Sequence, residues 1–216
     1  MEIRAIIFDF DYTLADSSQG VVKCVNSALH DLDLPPASPE AICSTIGMSL
    51  AETFIRLSGQ KNALRSQEFA RHFKRYADEI MADLTVLYPT VASVARSLRQ
   101  QGMKLGIVST KFRYRIESIL QRENVRDLFD VIVGGEDVAS HKPDPEGLKR
   151  AMTDLGCSPG QVLYVGDSVV DAETAKRAQI FFIAVLSGVT DQKAFEGYPL
   201  LAVIDNLSQL PEKLTS

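Results

Sequence analysis

Six short apolar runs recur along this chain with helix-length stretches between most of them, and that alternation limits the fold more than any other feature. The runs fall at residues 3–8, 105–108, 131–133, 162–165, 182–185 and 201–204. They are too continuous to have one wet face, which is the pattern of a parallel sheet covered on both sides. Helical patterns fill the gaps at 91–101, 116–122, 146–155 and 171–178. In the first of these Val91, Val94, Ala95 and Leu98 share one face, and Gly102 follows where a C-cap belongs. Strand and helix in turn predict βαβ units with right-handed crossovers, hence an α/β fold.

The alternation stops between about residues 15 and 88, where no buried strand is legible and amphipathic helices follow one another. We read this stretch as a helical insert. A first helix spans about 20–32, with Val21, Val25, Ala28, Leu29 and Leu32 on one face. The run from Pro35 to Pro39 then breaks the chain. A short helix near 50–57 and a long one at about 66–84 follow, the latter aligning Phe69, Phe73, Ala77, Ile80 and Leu84 as a packed face. Tyr88-Pro89 closes the insert, because proline disfavours helix in the residue before it.

A chain of 216 residues, 45% hydrophobic, can bury one good core and carry a small second unit. Its formal charge of −5 argues against a nucleic-acid or anionic-membrane binder. Cys24, Cys43 and Cys157 are odd in number and widely spaced, so neither a disulfide framework nor a zinc site is expected, and a reducing cytoplasm fits best. The N-terminal apolar run reads as a first strand rather than a signal peptide. The run at 180–186 is far short of the roughly 20 residues that span a bilayer. The expectation is a soluble protein.

Chemistry concentrates where the strands end. At the end of the first, Phe8-Asp9-Phe10-Asp11-Tyr12-Thr13-Leu14 puts Asp9 and Asp11 on one side and Phe8 and Phe10 on the other, if the backbone stays extended. Two carboxylates that close call for a cation or a shared proton. Alone, such a pair is more often a solvated acidic turn. Three further strand ends change the balance. Ser109-Thr110-Lys111 offers a hydroxyl and free N–H groups at a helix start, suited to phosphoryl oxygens or to simple N-capping. His141-Lys142-Pro143 sets a lysine beside a stiffening proline. Gly166-Asp167-Ser168-Val169-Val170-Asp171 places two acids four apart across a turn into a helix, where Asp167 can complete a metal site and Asp171 can lie beside Lys142, or both can merely face a helix dipole.

Taken together, these elements resemble the haloacid dehalogenase superfamily over essentially the whole chain. The DxDxT motif is matched by Asp9, Asp11 and Thr13, the second-motif hydroxyl by Ser109, the third-motif lysine by Lys142, and the GDxxxD element by Gly166, Asp167 and Asp171. The insert looks like the small cap of the phosphoglycolate-phosphatase and β-phosphoglucomutase branch. Residues 46–50 resemble that branch's substrate-facing cap loop, and residues 187–190 add a further likeness after the fifth strand. The resemblance implies a Rossmann-like core, residues 1–15 and 89–216, with a small all-helical cap, residues 16–88. It implies a Mg²⁺-dependent phosphatase acting on a small phosphorylated metabolite, phosphoglycolate-like, as a monomer or homodimer. Asp9 would be the nucleophile, Asp11 the acid–base, and Ser109 and Lys142 the phosphoryl ligands. Mg²⁺ would take the Asp9 carboxylate, the Asp11 carbonyl and Asp167, with Thr13, Thr110, Gly166 and Asp171 around them.

Some positions depart from the family's usual pattern. Tyr12 and Thr90 stand where glycine is common, Thr110 where asparagine is frequent, and Gln179 where an Ala-Gly pair usually ends the helix. Tyr12 would narrow the pocket or touch the cap. Arg65, Arg71, His72, Lys74 and Arg75 on the long helix read as a solvated basic face, and His30 and His141 as ordinary helix and loop residues. A β-phosphoglucomutase-like sugar phosphomutase and an inorganic pyrophosphatase share the same machinery and remain alternatives, as does a catalytically idle phosphate-binding or regulatory member. A dehalogenase is disfavoured because Asp11 is present. A signalling receiver is disfavoured because its phosphoacceptor follows the third strand and it lacks such an insert.

Overall fold

The computed structural model describes residues 2–214. Strand β1 (Ala5–Phe8) leads to β2 (Ala15–Asp16), then to helices α1 (Ser18–His30), α2 (Pro39–Cys43), α3 (Leu50–Ser58) and α4 (Ala63–Ile80), and to β3 (Val86–Leu87). Helix and strand alternate from there: α5 (Val91–Gln100), β4 (Lys104–Val108), α6 (Arg113–Arg122), β5 (Val131–Val133), α7 (Glu146–Leu155), β6 (Val162–Gly166), α8 (Val169–Ala178) and β7 (Phe181–Val185). Strand β8 (Ala202–Ile204) and α9 (Leu210–Leu214) follow.

Six strands form one parallel sheet in the order β5-β4-β1-β6-β7-β8. The chain builds outward from β1 on one side through β4 and β5, then crosses back to add β6, β7 and β8 on the other. That reversal makes a topological switch point beside β1, and ligands of such sheets bind there, beyond the carboxyl ends of the strands. Successive side chains divide between the two faces as a period of two requires. Ile6 and Phe8 pack with Leu105, Ile107, Leu163 and Val165 on one face, while Ala5 and Ile7 pack with Val162, Tyr164 and Phe182 on the other. Both faces are dry, which is why the strands read as continuous apolar runs.

Helices α1 to α4 share a separate apolar cluster, with the tilted rings of Phe54, Phe69 and Phe73 in contact at centroid separations of 5.5 and 6.4 Å. Asn62 starts α4 a few residues before the expected point, because its side chain accepts hydrogen bonds from the N–H groups of Leu64 and Arg65. The proline-rich break hides a helix. Ser38 caps α2 through its hydroxyl and Pro39 occupies the first helical position, where its missing N–H costs nothing. Strands β2 and β3 were not legible either. They pair antiparallel over two residues each, too few for a periodic pattern, and bring the two ends of the insert together.

The basic residues of α4 are not simply solvated. Arg65 donates to the Leu32 carbonyl at 2.5 Å, and His72 and Arg75 pair with Asp31 at 2.8 and 2.7 Å. Three of the five therefore tie α4 to the end of α1. Across to the sheet side, Tyr114 and Arg115 of α6 both meet Asp78 of α4, and Arg122 donates to the carbonyls of Ala82 and Thr85 at 2.6 and 2.7 Å. The insert is thus strapped to α6. No helix among the described residues is long and apolar enough to cross a membrane.

Candidate active site

Asp9 follows β1 directly, its N–H bonded to the Val165 carbonyl of β6 at 2.9 Å, so the strand pairing carries the residue into place. Two residues on, Asp11 bridges to Ala15 in a tight turn, and Phe10 turns back into the core. Asp9, Asp11, Thr13, Ser109, Lys142, Asp167 and Asp171 are all buried. Strand order explains the convergence: β4, β1 and β6 are neighbours, and they deliver Ser109, Asp9 and Asp167 to the same edge of the sheet.

Lys142 lies at the centre of the cluster. Its Nζ is 2.9 Å from Asp9 Oδ1, 2.6 Å from Asp171 Oδ1 and 3.2 Å from Tyr164 Oη. The Lys142-Pro143 peptide is cis. Burial alone would depress the lysine, but the charges of Asp171 and Asp9 outweigh it and raise its pKa. Asp171 is fully enclosed. Its Oδ1 also accepts from the Tyr164 hydroxyl at 2.8 Å, and its Oδ2 from the Ser168 hydroxyl and N–H at 2.5 and 3.2 Å, closing a capping box on α8. Gly166 makes this possible, since a Cβ there would sit 2.6 Å from the Asp171 Cγ.

The electrostatics leave the site short of positive charge. Buried Asp9, Asp11, Asp167 and Asp171 face the ammonium groups of Lys111 and Lys142. Burial pushes Asp9 up to about 7 even though Lys142 pulls the other way, with Asp171 and Asp11 adding to the rise. Burial, and then Asp171 and Asp9, drive Asp167 well above the ordinary carboxylate range. One carboxylate oxygen each from Asp9, Asp167 and Asp171 lies within 4.8 Å of the others. The oxygens of Asp171 are already taken by Lys142, Tyr164 and Ser168. Asp9 Oδ1 accepts no well-directed hydrogen bond despite its burial. A divalent cation held by Asp9 and Asp167 fits this donor set and would satisfy the exposed deficit.

Ser109 Oγ accepts the Lys111 N–H at 3.3 Å, and Ser109, Thr110, His141 and Lys142 border one small hollow. Thr13 donates to Asp167 Oδ1 at 3.4 Å from a fully buried position. His141 also reaches the larger cavity beneath the insert, whereas His30 sits on the surface near Asp31. Tyr12 has φ of 60°, the left-handed region where glycine carries no penalty. Its carbonyl accepts the Ser187 hydroxyl at 2.5 Å, and its side chain reaches Cys43 of the insert. Gln179 likewise ends α8 with φ of 57°, while Thr90 has an ordinary right-handed backbone that needs no glycine.

The sequence model of the haloacid dehalogenase-like hydrolases matches residues 6–185. This chain belongs to that family. Among curated proteins it is 35% identical over 199 residues to a phosphoglycolate phosphatase of Salmonella typhimurium, covering 82% of this chain and 78% of the relative. The phosphoglycolate phosphatase of Escherichia coli K12 is 31% identical over 198 residues, with 82% and 79% covered. Among solved structures, a haloacid dehalogenase-like hydrolase from Bacteroides fragilis superposes with a TM-score of 0.94 at 43% identity, over 97% of this chain and all of that one.

For this haloacid dehalogenase-like hydrolase, three residues of the site had no role assigned from the sequence. Tyr164 looked like one more apolar strand residue, yet its hydroxyl holds Asp171. Lys111 sat unassigned beside Ser109, yet its Nζ is 3.2 Å from Asp11 Oδ1 and 4% of its side chain is exposed. Gly188 packs so closely that a Cβ would lie 2.1 Å from Asp167 Oδ2. Its place in residues 187–190, just beyond a strand end, was the only signal that pointed to it.

Proposed function

We propose that this chain is a Mg²⁺-dependent phosphatase that hydrolyses a small phosphorylated metabolite through a phosphorylated Asp9. The observation that carries the reading is Asp9 itself: buried at the end of β1, bridged by Lys142 at 2.9 Å, and with a carboxylate oxygen within 4.8 Å of one from Asp167. The phosphoglycolate phosphatases among its relatives support the same activity.

Asp9, the Asp11 backbone carbonyl and Asp167 would hold Mg²⁺, which offsets the repulsion between a carboxylate nucleophile and a phosphate dianion. Asp9 attacks phosphorus in line, the bond to the leaving alcohol breaks, and the leaving oxygen takes its proton from the Asp11 side chain. The Asp11 carboxylate then removes a proton from the water that attacks the aspartyl phosphate. Inorganic phosphate leaves and Asp9 is restored. Lys142, the Ser109 hydroxyl and the Thr110 N–H stabilise charge on the outer phosphoryl oxygens. Asp171 and Tyr164 position Lys142. Thr13 and Gly188 hold the Asp167 carboxylate in place.

In this reading residues 1–15 and 89–216 are the catalytic core and 16–88 the cap that closes over the leaving group. Residues 1, 215 and 216 of that core lie outside the described residues. The free state of Cys24, Cys43 and Cys157 supports a cytoplasmic enzyme, and the family likeness suggests a monomer or homodimer.

The test is release of inorganic phosphate from a panel of phosphomonoesters, with Mg²⁺ and with a chelator. Turnover is expected only with the metal, and Asp11→Asn is expected to lose about 10²–10⁴-fold in rate while remaining folded. Turnover at full rate in chelator removes the metal from the proposal. Mg²⁺ should also raise the melting temperature, by about 2.7 kcal/mol of added stability at a hundredfold excess over Kd. Gly188→Ala forces a methyl group against Asp167 and is expected to weaken that Mg²⁺ response about tenfold or more in affinity. An unchanged titration midpoint would mean that Asp167 does not bind the ion.

A further inference from the structure

Beneath the insert, directly over Asp11, lies a cavity of about 350 Å³. That falls in the range of roughly 300–1,000 Å³ typical of sites for drug-sized ligands. Val21, Val25, Ile46, Met48, Phe73 and Met81 supply apolar walls, and the loop 46–50 closes one side. Charge is confined and one-sided. Lys74, Lys111 and Arg115 reach the cavity, and Asp11 is the acid that faces them. The guanidinium of Arg115 is committed to Asp78 and to the Lys74 carbonyl, and the Lys74 ammonium sits 4.8 Å over the Phe112 ring. Lys111 is also paired, its Nζ 3.2 Å from Asp11 Oδ1, but that pairing sets its ammonium at the floor of the cavity beside the residue that would protonate the leaving oxygen.

A two-carbon hydroxy acid would reach Lys111 but leave most of these walls facing water. Burial of an apolar body there is favourable in proportion to the area covered. Resting on the phosphatase reading above, we propose that the preferred substrate is the phosphate ester of a hydroxy acid with a bulky apolar body. Its carboxylate is held by Lys111, and an aryl or branched-alkyl group fills the cavity against Val21, Val25, Met48 and Phe73. Lys111 sets the preference for charge and the walls set the preference for size.

The experiment compares kcat/KM in Mg²⁺ for the O-phosphates of glycolate and of phenyllactate, both esterified at the carbon that bears the carboxylate, and for 2-phenylethyl phosphate, which lacks the carboxylate. The phenyllactate ester is expected to exceed the glycolate ester by about tenfold or more, the scale on which apolar pockets discriminate. It should exceed phenylethyl phosphate by a similar factor. Lys111→Met is expected to erase the second ratio and Val21→Phe, which narrows the cavity, to reduce the first several-fold. Ratios are read so that a general loss of rate on removing the partner of Asp11 does not mislead. A glycolate ester turned over as well as or better than the phenyllactate ester overturns the inference and leaves the phosphatase reading standing. So does a carboxylate preference that survives Lys111→Met. Absence of turnover on every ester overturns both.

Discussion

Asp9→Asn is expected to abolish phosphate release and, in the metal-free protein above pH 7, to raise thermal stability. The first effect follows from removing the nucleophile, and a loss of about four orders of magnitude or more in kcat is the scale for such residues. The second follows from linkage. Burial holds the folded-state Asp9 carboxyl near 7, against an ordinary value of 3.8. Between those values the folded state binds more protons than the unfolded one, so stability falls as pH rises. Asp9 is therefore harmless at pH 4 and costs the fold most above pH 7, by about 1–4 kcal/mol. Asparagine does not ionise and escapes that cost. Melting curves in chelator at pH 5 and pH 8 should show the variant pulling ahead of wild type at the higher pH, with the gap closing in saturating Mg²⁺. A variant that is less stable than wild type at pH 8 in chelator would show that Lys142 already compensates the charge. Retained turnover would show that another group attacks phosphorus.

Lys142→Met is expected to damage both the fold and the chemistry. The lysine is buried between Asp9 and Asp171 at 2.9 and 2.6 Å, and methionine would leave those carboxylates without their shared cation. Breaking a buried pair from one side costs about 3–5 kcal/mol, because the stranded charge keeps its desolvation penalty. Loss of a donor to the transferring phosphoryl group adds about 10²–10³-fold in kcat. The stability deficit should shrink toward low pH as the stranded carboxylates take up protons. Adding Asp171→Asn to Lys142→Met should restore part of it, and a double-mutant cycle measures the coupling. Additive effects of the two substitutions would mean that the triad of Asp9, Lys142 and Asp171 is not an energetic unit.

The contacts around these residues show a division of labour in the site. Asp171 has its oxygens filled by Lys142, Tyr164 and Ser168, so it behaves as scaffold. Asp9 and Asp167, the carboxylates proposed to hold the metal, carry raised pKa values in the absence of a cation. On the proposed metal-bound reading, such a site trades stability in the empty state for affinity in the filled one.

What the sequence alone determined was whatever is written locally. Apolar runs of strand length, helical faces between them, and acids, hydroxyls and a lysine at the strand ends are all properties of consecutive residues, and they predict a covered parallel sheet and its ligand-bearing edge. Side-chain caps overrode the periodic pattern locally: Asn62 moved the start of α4, and Ser38 began a helix the pattern did not show. The tertiary structure decided the rest. Tyr164 became a partner of Asp171 only once the turn from β6 into α8 set that carboxylate against the tyrosine hydroxyl and Lys142. Lys111 met Asp11, and Gly188 met Asp167, across about 100 and 20 residues of chain. The basic face of α4 became a tie to α1 once helix packing brought Asp31 opposite it. Such contacts depend on the summed geometry of many elements, and no window of sequence contains that sum.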